Sequence, residues 1–268
     1  MTRYSLRYLR QIKLSLTGSV SGTQPPESSD FGLHIVSLSR QQTRGLRSAA
    51  KRFNASFSDL VIRELLFLAK WWHASHSDTT RRTGKNETFC IQLPNSLRGP
   101  SDDRLPACNV IGNIFIERPP SDIDDADILL QSVRDEMQFV HQSQAGWIFI
   151  QSLSVLRKIP GVLTAIQLLS RKRCMASIIL SHMGNLMNSI GARLPKRDGQ
   201  IQIGNLLVED VCGIGPLRPG TNVVVSTMMF QGRLLIALRC DSRHFSADDT
   251  AELLNEFVTH LERTAEAN

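Results

Sequence analysis

The sequence predicts an α/β fold in which a mixed β-sheet packs against several helices. Two observations lead to this expectation: short β-branched and aliphatic runs alternate with longer amphipathic segments, and the chain closes with a tight hairpin followed by a helix. The chain has 268 residues, of which 41% are hydrophobic, which suits one large domain or two small ones. It contains no uninterrupted run of 18 apolar residues, so no transmembrane segment is expected.

The first half of the chain is expected to contribute strands and helices in alternation. Ser39 precedes apolar residues at helical spacing and is the expected N-cap of its helix, because a serine side chain accepts a hydrogen bond from an unpaired N–H of the first turn. Ser58 and Asp59 are expected to open the next helix in the same way. The predicted strands cover residues 31–38, 88–93 and 109–117, and the predicted helices cover residues 39–53, 58–76 and 124–144.

The second half is expected to begin with one or two helices over residues 147–169, followed by a strand that ends in a sharp polar turn at residues 181–185. Gln231 and Gly232 are typical of a two-residue hairpin turn, and Ser246 is the expected cap of the last helix. The predicted strands cover residues 176–180, 201–208, 223–230 and 233–241, and the last predicted helix covers residues 247–265.

The first 30 residues are expected to form a unit of their own, a basic segment followed by a flexible Gly/Ser/Pro-rich linker over residues 17–30. The globular lobe then covers residues 31–268. The five cysteines form no C-x-x-C pair and have no zinc-ligand spacing. Scattered cysteines are typical of reduced thiols in a cytoplasmic protein, and neither a metal nor a cofactor is expected.

The formal net charge of +6 comes from 31 Lys and Arg against 25 Asp and Glu, which describes a mixed surface with a mild basic bias. Binding to nucleic acid needs basic residues concentrated on one face, with aromatic side chains among them where single strands are bound. The two basic clusters, at residues 3–13 and 171–173, lack such an aromatic platform, so no nucleic-acid partner is expected. Peripheral contact with a membrane remains one possible interaction, because the first 20 residues also fit a basic amphipathic surface helix.

Four short stretches follow one another in a fixed order. They are ASFSDLV at 55–61, PNSLR at 94–98 with NVIGN at 109–113, IILSHMGN at 178–185, and the closing hairpin and helix from residue 232 onwards. Together they resemble the C-terminal half of the chloramphenicol-acetyltransferase-like superfamily, and in particular wax ester synthases, alcohol acyltransferases and peptide-synthetase condensation domains. The resemblance rests on the order and spacing of these four stretches and covers about residues 31–262. Ser58 and His182 each replace an asparagine of the superfamily pattern.

The resemblance implies one lobe of a two-lobed acyltransferase, with a tunnel for the acyl donor and acceptor between the lobes. In that superfamily a histidine of a His-His-x-x-x-Asp-Gly motif on the N-terminal lobe removes the acceptor's proton as it attacks a thioester. None of the seven histidines here lies in such a motif, so no catalytic residue is assigned and the chain is expected to be inactive alone.

The expected substrate is an acyl-CoA or an acyl-carrier thioester, and the expected partner is the missing N-terminal lobe or a second copy bound through an exposed face of this lobe. On this interpretation the first 30 residues are the exit helix and linker of a longer protein; the alternative is a short, diverged protein. A second functional hypothesis is a non-catalytic binding module that keeps the lobe fold.

The resemblance places the turn at residues 181–185 against the tunnel, which makes Ser181, His182, Gly184 and Asn185 candidate substrate-binding residues. A serine hydroxyl there can donate to a thioester oxyanion, and a glycine lets the backbone approach a ligand closely. The alternative is a polar turn that satisfies its own backbone. Asn113 is a further candidate, although an amide that hydrogen-bonds across strands explains it as well.

Three other polar residues are expected to have structural roles. Asp59 is the expected helix cap and Arg98 the expected anchor of a loop. Asp241 is expected to hold the last hairpin to the final helix, although simple solvent exposure fits its sequence position equally well.

Overall fold

The computed structural model describes residues 12–20, 32–76, 87–99, 110–143, 145–162, 164, 174–189 and 194–267. The strands are β1 (Ile12–Lys13), β2 (Leu33–Leu38), β3 (Glu87–Ser96), β4 (Ile111–Arg118), β5 (Ile178–Asn185), β6 (Lys196–Arg197), β7 (Gln200–Ile203), β8 (Leu206–Leu207), β9 (Val223–Phe230) and β10 (Arg233–Cys240). The helices are α1 (Arg40–Arg52), α2 (Phe57–His76), α3 (Ala126–Gln142), α4 (Ala145–Leu156), α5 (Leu186–Ser189) and α6 (Ala247–Glu266). No helix within these ranges is both long and apolar enough to span a bilayer.

The main sheet is mixed, as predicted. Its strands lie in the order β4–β3–β5–β9–β10–β2, and the short strand β1 also pairs with β3. Strands β3, β5 and β9 run parallel to one another, while β4, β10 and β2 are each antiparallel to their neighbours. Strand β5 therefore lies near the centre of the sheet, beside the β9–β10 hairpin.

The two faces of the sheet are covered differently, because side chains alternate along each strand. One face, here called the helix face, carries residues such as Leu180 and Val225 that pack with α1, α2, α3 and α6 in the main core. Trp72 of α2 and Phe257 of α6 are fully buried in this core. The other face, here called the open face, packs through Met228 against a smaller apolar cluster from residues 186–211.

Helix α2 begins at Phe57, one residue earlier than predicted, because Ser56 rather than Ser58 caps it. Ser56 Oγ accepts a hydrogen bond from the Asp59 N–H at 3.1 Å, and Asp59 Oδ2 accepts one from the Ser56 N–H at 2.8 Å. This reciprocal pair is a capping box, which satisfies two N–H groups at the start of the helix.

Residues 12–20 belong to the folded lobe, which differs from the prediction that residues 1–30 form a separate basic and flexible unit. Leu16 is fully buried, and its carbonyl accepts a hydrogen bond from the Asn222 side chain at 2.9 Å. The Trp72 indole donates to the carbonyl of Thr17 at 2.9 Å, and the Ser19 hydroxyl donates to a carboxylate of α6 at 2.7 Å. These long-range bonds hold the segment against the sheet and two helices.

Two other predicted elements differ in the structure. The predicted strand over residues 201–208 is the β7–β8 hairpin, which turns at Gly204 with a φ of +60°. The predicted turn at residues 181–185 is instead the second half of β5. Helix α4 ends at Leu156. Of the remaining stretch to residue 169, where one or two helices were predicted, residues 163 and 165–169 lie outside the described residues.

Candidate ligand site at the carboxyl end of strand β5

The candidate site is built on the second half of β5, where the strand loses its regular pairing. Ser181 lies opposite Ser226 of β9 and His182 opposite Thr227, but the register then shifts before Asn185. Gly184, within this irregular part, has a φ of +64°, a backbone conformation that glycine adopts without steric cost. The glycine thus accounts for both the predicted turn and the observed irregularity.

Ser181 and His182 lie on opposite faces of the sheet, because successive side chains of a strand alternate. On the helix face, the His182 ring stacks on Phe57 at the start of α2, with a centroid distance of 5.7 Å. Ser181 instead lies on the open face beside Ser226, whose hydroxyl accepts a hydrogen bond from the Gly215 N–H at 3.3 Å. The structure therefore does not bring the two candidates together at one point.

His182 is the side chain at this site with the clearest chemical character. Its Nδ1 lies 2.8 Å from the hydroxyl oxygen of Thr227, which is fully buried. Burial lowers the pKa of His182 below its ordinary value of 6.5, so the imidazole is neutral at neutral pH. A neutral ring held at Nδ1 leaves Nε2 as a single donor or acceptor for a ligand.

Asn185 and Asn113 both use their side chains within the protein. Asn185 Oδ1 accepts a hydrogen bond from the Met187 N–H at 3.0 Å, in the first turn of α5. Asn113 Oδ1 accepts one from the Gln92 side chain at 2.7 Å, across the β3–β4 pair. Gln92 and Asn113 lie on the open face, so the sheet separates this amide pair from the His182 ring.

The residues predicted to be structural make local contacts. The Arg98 N–H donates to Ser96 Oγ at 3.4 Å, just after β3. The Asp241 side chain accepts from the Arg243 Nε at 2.9 Å, and this hydrogen bond lowers the pKa of Asp241. The link from Asp241 towards α6 is made by its main chain, because its carbonyl accepts from the Phe245 N–H at 3.0 Å.

Sequence reasoning missed Thr227 and Phe57, the two residues that define the surroundings of His182. Thr227 could have been found by aligning the parallel strands β5 and β9, since it lies directly opposite His182. Phe57 could not, because its contact depends on how α2 packs across the end of the sheet. In the part of the chain that the structure describes, no group of three His, Cys, Asp or Glu residues is arranged to hold a metal.

No family model matches the chain, and no curated protein matches it. Its similarity to known proteins is therefore structural.

Solved structures with the same fold come from nonribosomal peptide synthetases. The epimerization domain from the third module of tyrocidine synthetase B matches 93% of this chain with a TM-score of 0.56 and 14% identity. The first condensation domain of the CDA synthetase matches 99% with a TM-score of 0.57 and 16% identity. The EpoB cyclization-docking bidomain from Sorangium cellulosum matches 100% with a TM-score of 0.58 and 11% identity.

The present chain spans 52% of the length of each of the first two structures and 48% of the third. This proportion agrees with the expectation that it corresponds to one half of such a domain. The chain therefore has the fold of one half of these epimerization, condensation and cyclization domains.

Proposed function

We propose that this chain is the C-terminal lobe of an acyltransferase that moves an acyl group from a CoA or carrier thioester to an alcohol or amine, and that it does not turn over by itself. The observation that carries the proposal is the irregular carboxyl end of the central strand β5 with its half-buried His182, within a condensation-type lobe. The similar solved structures are about twice as long, which supports pairing with a second lobe.

The irregular part of β5 offers the features that a thioester needs. Met183 and Gly184 fall outside the regular pairing with β9, and their backbone N–H groups are proposed to contact the ligand. Backbone N–H groups directed at a thioester oxygen stabilise the charge that develops on it during acyl transfer. Met183 is 42% exposed and lies near Met228 on the open face, so it would contact an acyl chain that passes around the end of β5 from the His182 side.

His182 is proposed to bind substrate rather than to remove a proton. The His-His-x-x-x-Asp-Gly motif is absent from the whole sequence. A general base is most effective with a pKa near the working pH and with a group that stabilises its protonated form. His182 instead has a lowered pKa caused by burial, and its ring contacts the neutral hydroxyl of Thr227.

The second candidate function, a non-catalytic binding module with the same fold, is favoured by the missing histidine motif. Exposed apolar side chains of the β7–β8 hairpin offer a surface for a partner lobe or a second copy: Ile203 is 59% exposed and Leu206 is 74% exposed. Such a partner would bury apolar area that now faces water.

Equilibrium binding and turnover, measured on the same protein, test these alternatives. Calorimetric titration with decanoyl-CoA and decanoyl-pantetheine is expected to show saturable binding, and chromatography with an added alcohol or amine is expected to show no transfer product. His182→Ala should weaken binding, whereas His141→Ala, at an exposed position on α3, should not.

Repeated turnover by the chain alone would overturn the assignment as an inactive lobe. An absence of binding to either thioester would leave the non-catalytic module as the better account of this fold.

A further inference from the structure

The middle of the chain is unusually poor in acidic residues. Residues 137–197 contain no Asp or Glu, although the whole chain has 25 acidic residues. The same stretch contains eight Lys or Arg, at positions 157, 158, 171, 172, 173, 193, 196 and 197. The basic surplus of the protein is therefore concentrated in one part of the sequence.

Helix α4, within this stretch, exposes apolar side chains. Trp147 is 41% exposed and Val155 is 61% exposed. Gln151 and Ser154 are also exposed. Gln151, Ser154 and Val155 follow Trp147 by four, seven and eight residues, so all four side chains lie on one side of the helix. Since α4 also contacts β4 and α3, this side is its outer surface.

The turn after α4 adds positive charge to the same region. Arg157 and Lys158 are exposed, and no hydrogen bond or ion pair involves their side chains in the described part of the chain. Ile159, directly after them, is 50% exposed. Together with the outer side of α4, these residues form what is here called the 147–159 surface.

We infer that the 147–159 surface binds anionic lipid bilayers. Tryptophan and aliphatic side chains enter the boundary between headgroups and acyl chains, while neighbouring Lys and Arg contact lipid phosphates. The exposed aliphatic residues Val155 and Ile159 distinguish this surface from a nucleic-acid site, where base stacking uses aromatic side chains in a basic groove. The inference does not depend on the proposed acyltransferase role.

Vesicle flotation of the full chain tests this inference directly. The protein should float with vesicles of 70% phosphatidylcholine and 30% phosphatidylglycerol, and much less with phosphatidylcholine alone. Brominated lipids should quench the fluorescence of Trp147, and this quenching should be lost in Trp147→Phe, which retains the half-buried Trp71 and the buried Trp72. Each basic residue near an anionic surface contributes about a fivefold gain in partition, so Arg157→Glu/Lys158→Glu should lose at least about 25-fold.

The matched control is Arg47→Glu/Lys51→Glu, which changes the net charge equally at exposed positions of α1. It should bind vesicles nearly as well as the unmodified chain. Equal losses in the two double variants, or equal binding to both kinds of vesicle, would overturn the inference.

Two further results would also overturn it. One is binding to a DNA duplex, with the same dependence on Arg157 and Lys158, and none to vesicles. The other is a dimer in light scattering that Trp147→Ser converts to a monomer, since a second copy would then cover this surface. Circular dichroism spectra that match the unmodified chain establish that the variants are folded.

Discussion

Replacing Asp249 by alanine should loosen the N-terminal segment from the last helix and destabilise the whole lobe. Asp249 Oδ2 accepts hydrogen bonds from the Ser19 N–H at 2.9 Å, the Ser19 hydroxyl at 2.7 Å and the Ser246 N–H at 2.7 Å. The Asp249 N–H in turn donates to Ser246 Oγ at 3.0 Å, which completes the capping box of α6. One carboxylate therefore joins the start of the described chain to its end.

The magnitude follows from these bonds. Loss of a helix cap costs about 1 kcal/mol, and each hydrogen bond to a charged group is worth about 1.5–3 kcal/mol, with incomplete additivity. We expect Asp249→Ala to lower the free energy of unfolding by about 3 kcal/mol, and therefore the Tm by about 6–12 °C. Thermal unfolding followed by circular dichroism measures this, and amide exchange at Ser19 and Val20 should become faster.

The pH dependence of the free energy of unfolding provides an independent check on the role of Asp249. Burial raises the pKa of Asp249, but hydrogen bonds from Ser19 and Ser246 outweigh that effect and lower the pKa below its ordinary value of 3.8. The unfolded chain thus takes up this proton first, and stability that is present above pH 3.8 is lost as the pH falls through the folded-state pKa. The difference between the unmodified chain and Asp249→Ala should therefore narrow in acid.

Asp248→Ala is the matched control. Asp248 also lies in the first turn of α6 but is exposed, so its loss should cost only about 0.3–1 kcal/mol through the helix dipole. If both substitutions change the Tm equally, or if Asp249→Ala leaves the exchange of Ser19 unchanged, the reasoning about this clamp is wrong.

Three further predictions concern other parts of the molecule. Burial lowers the pKa of His182, so the unfolded chain binds a proton more readily than the folded chain as the pH falls. Each pKa unit of this difference lowers the free energy of unfolding by about 1.4 kcal/mol once the unfolded state is protonated. In urea titrations, His182→Gln should therefore lose less unfolding free energy between pH 7.5 and pH 5 than the unmodified chain. Gly45→Ala should destabilise the protein by about 1–2 kcal/mol in the same assay, because its Cβ would lie 2.8 Å from the Ala265 carbonyl oxygen, even though alanine favours helices. In native protein at pH 8, the exposed Cys212 should react with a thiol reagent at least about 100-fold faster than Cys174, whose pKa burial raises to about 11.

Each of these has a control and a contradicting result. Ser48→Ala, at an exposed position on α1, should be neutral or slightly stabilising, and a stabilising Gly45→Ala would contradict the close helix contact. Unchanged pH dependence in His182→Gln would contradict the lowered pKa of the half-buried His182 imidazole. Thiol reaction is best followed in a Cys108→Ser background, and equal rates at Cys212 and Cys174 would contradict their different environments.

Elements with local signals in the sequence were predicted well. Helices α1 and α6 start where Ser39 and Ser246 can cap them. The β9–β10 turn occurs at Gln231 and Gly232, where both residues have a positive φ. In each case the residue type at one position determines the backbone conformation, so no distant contact is needed to infer it.

Elements that depend on distant contacts were predicted poorly. Leu14 and Leu16 lie in a short segment beside Gly- and Ser-rich sequence, yet both are buried. Their burial depends on partners far along the chain: Ser177 Oγ donates to the Leu14 carbonyl at 2.6 Å, and the Asn222 side chain donates to the Leu16 carbonyl at 2.9 Å. A single sequence does not reveal such pairings.

At the candidate site, a local sequence signal located the segment, but contacts with a distant strand determined its conformation. Ser181 to Asn185 were proposed as site residues because a polar, glycine-containing segment after an apolar strand is a recognisable signal. The same signal favoured a turn, whereas pairing with β9 extends the strand through these residues. Treating the segment as a strand would have placed Ser181 and His182 on opposite faces, which is the arrangement that the structure has.

If the carboxyl end of β5 binds an acyl thioester, photoaffinity labelling will locate the bound acyl chain there. A pantetheine thioester with a diazirine in its acyl chain is irradiated with the native protein, and labelled peptides are located by mass spectrometry. We expect labelling of Phe57 and of residues 181–187, competed by unmodified acyl-pantetheine and reduced in His182→Ala. Labelling spread over the surface without competition, or confined to another part of the fold, would contradict the claim.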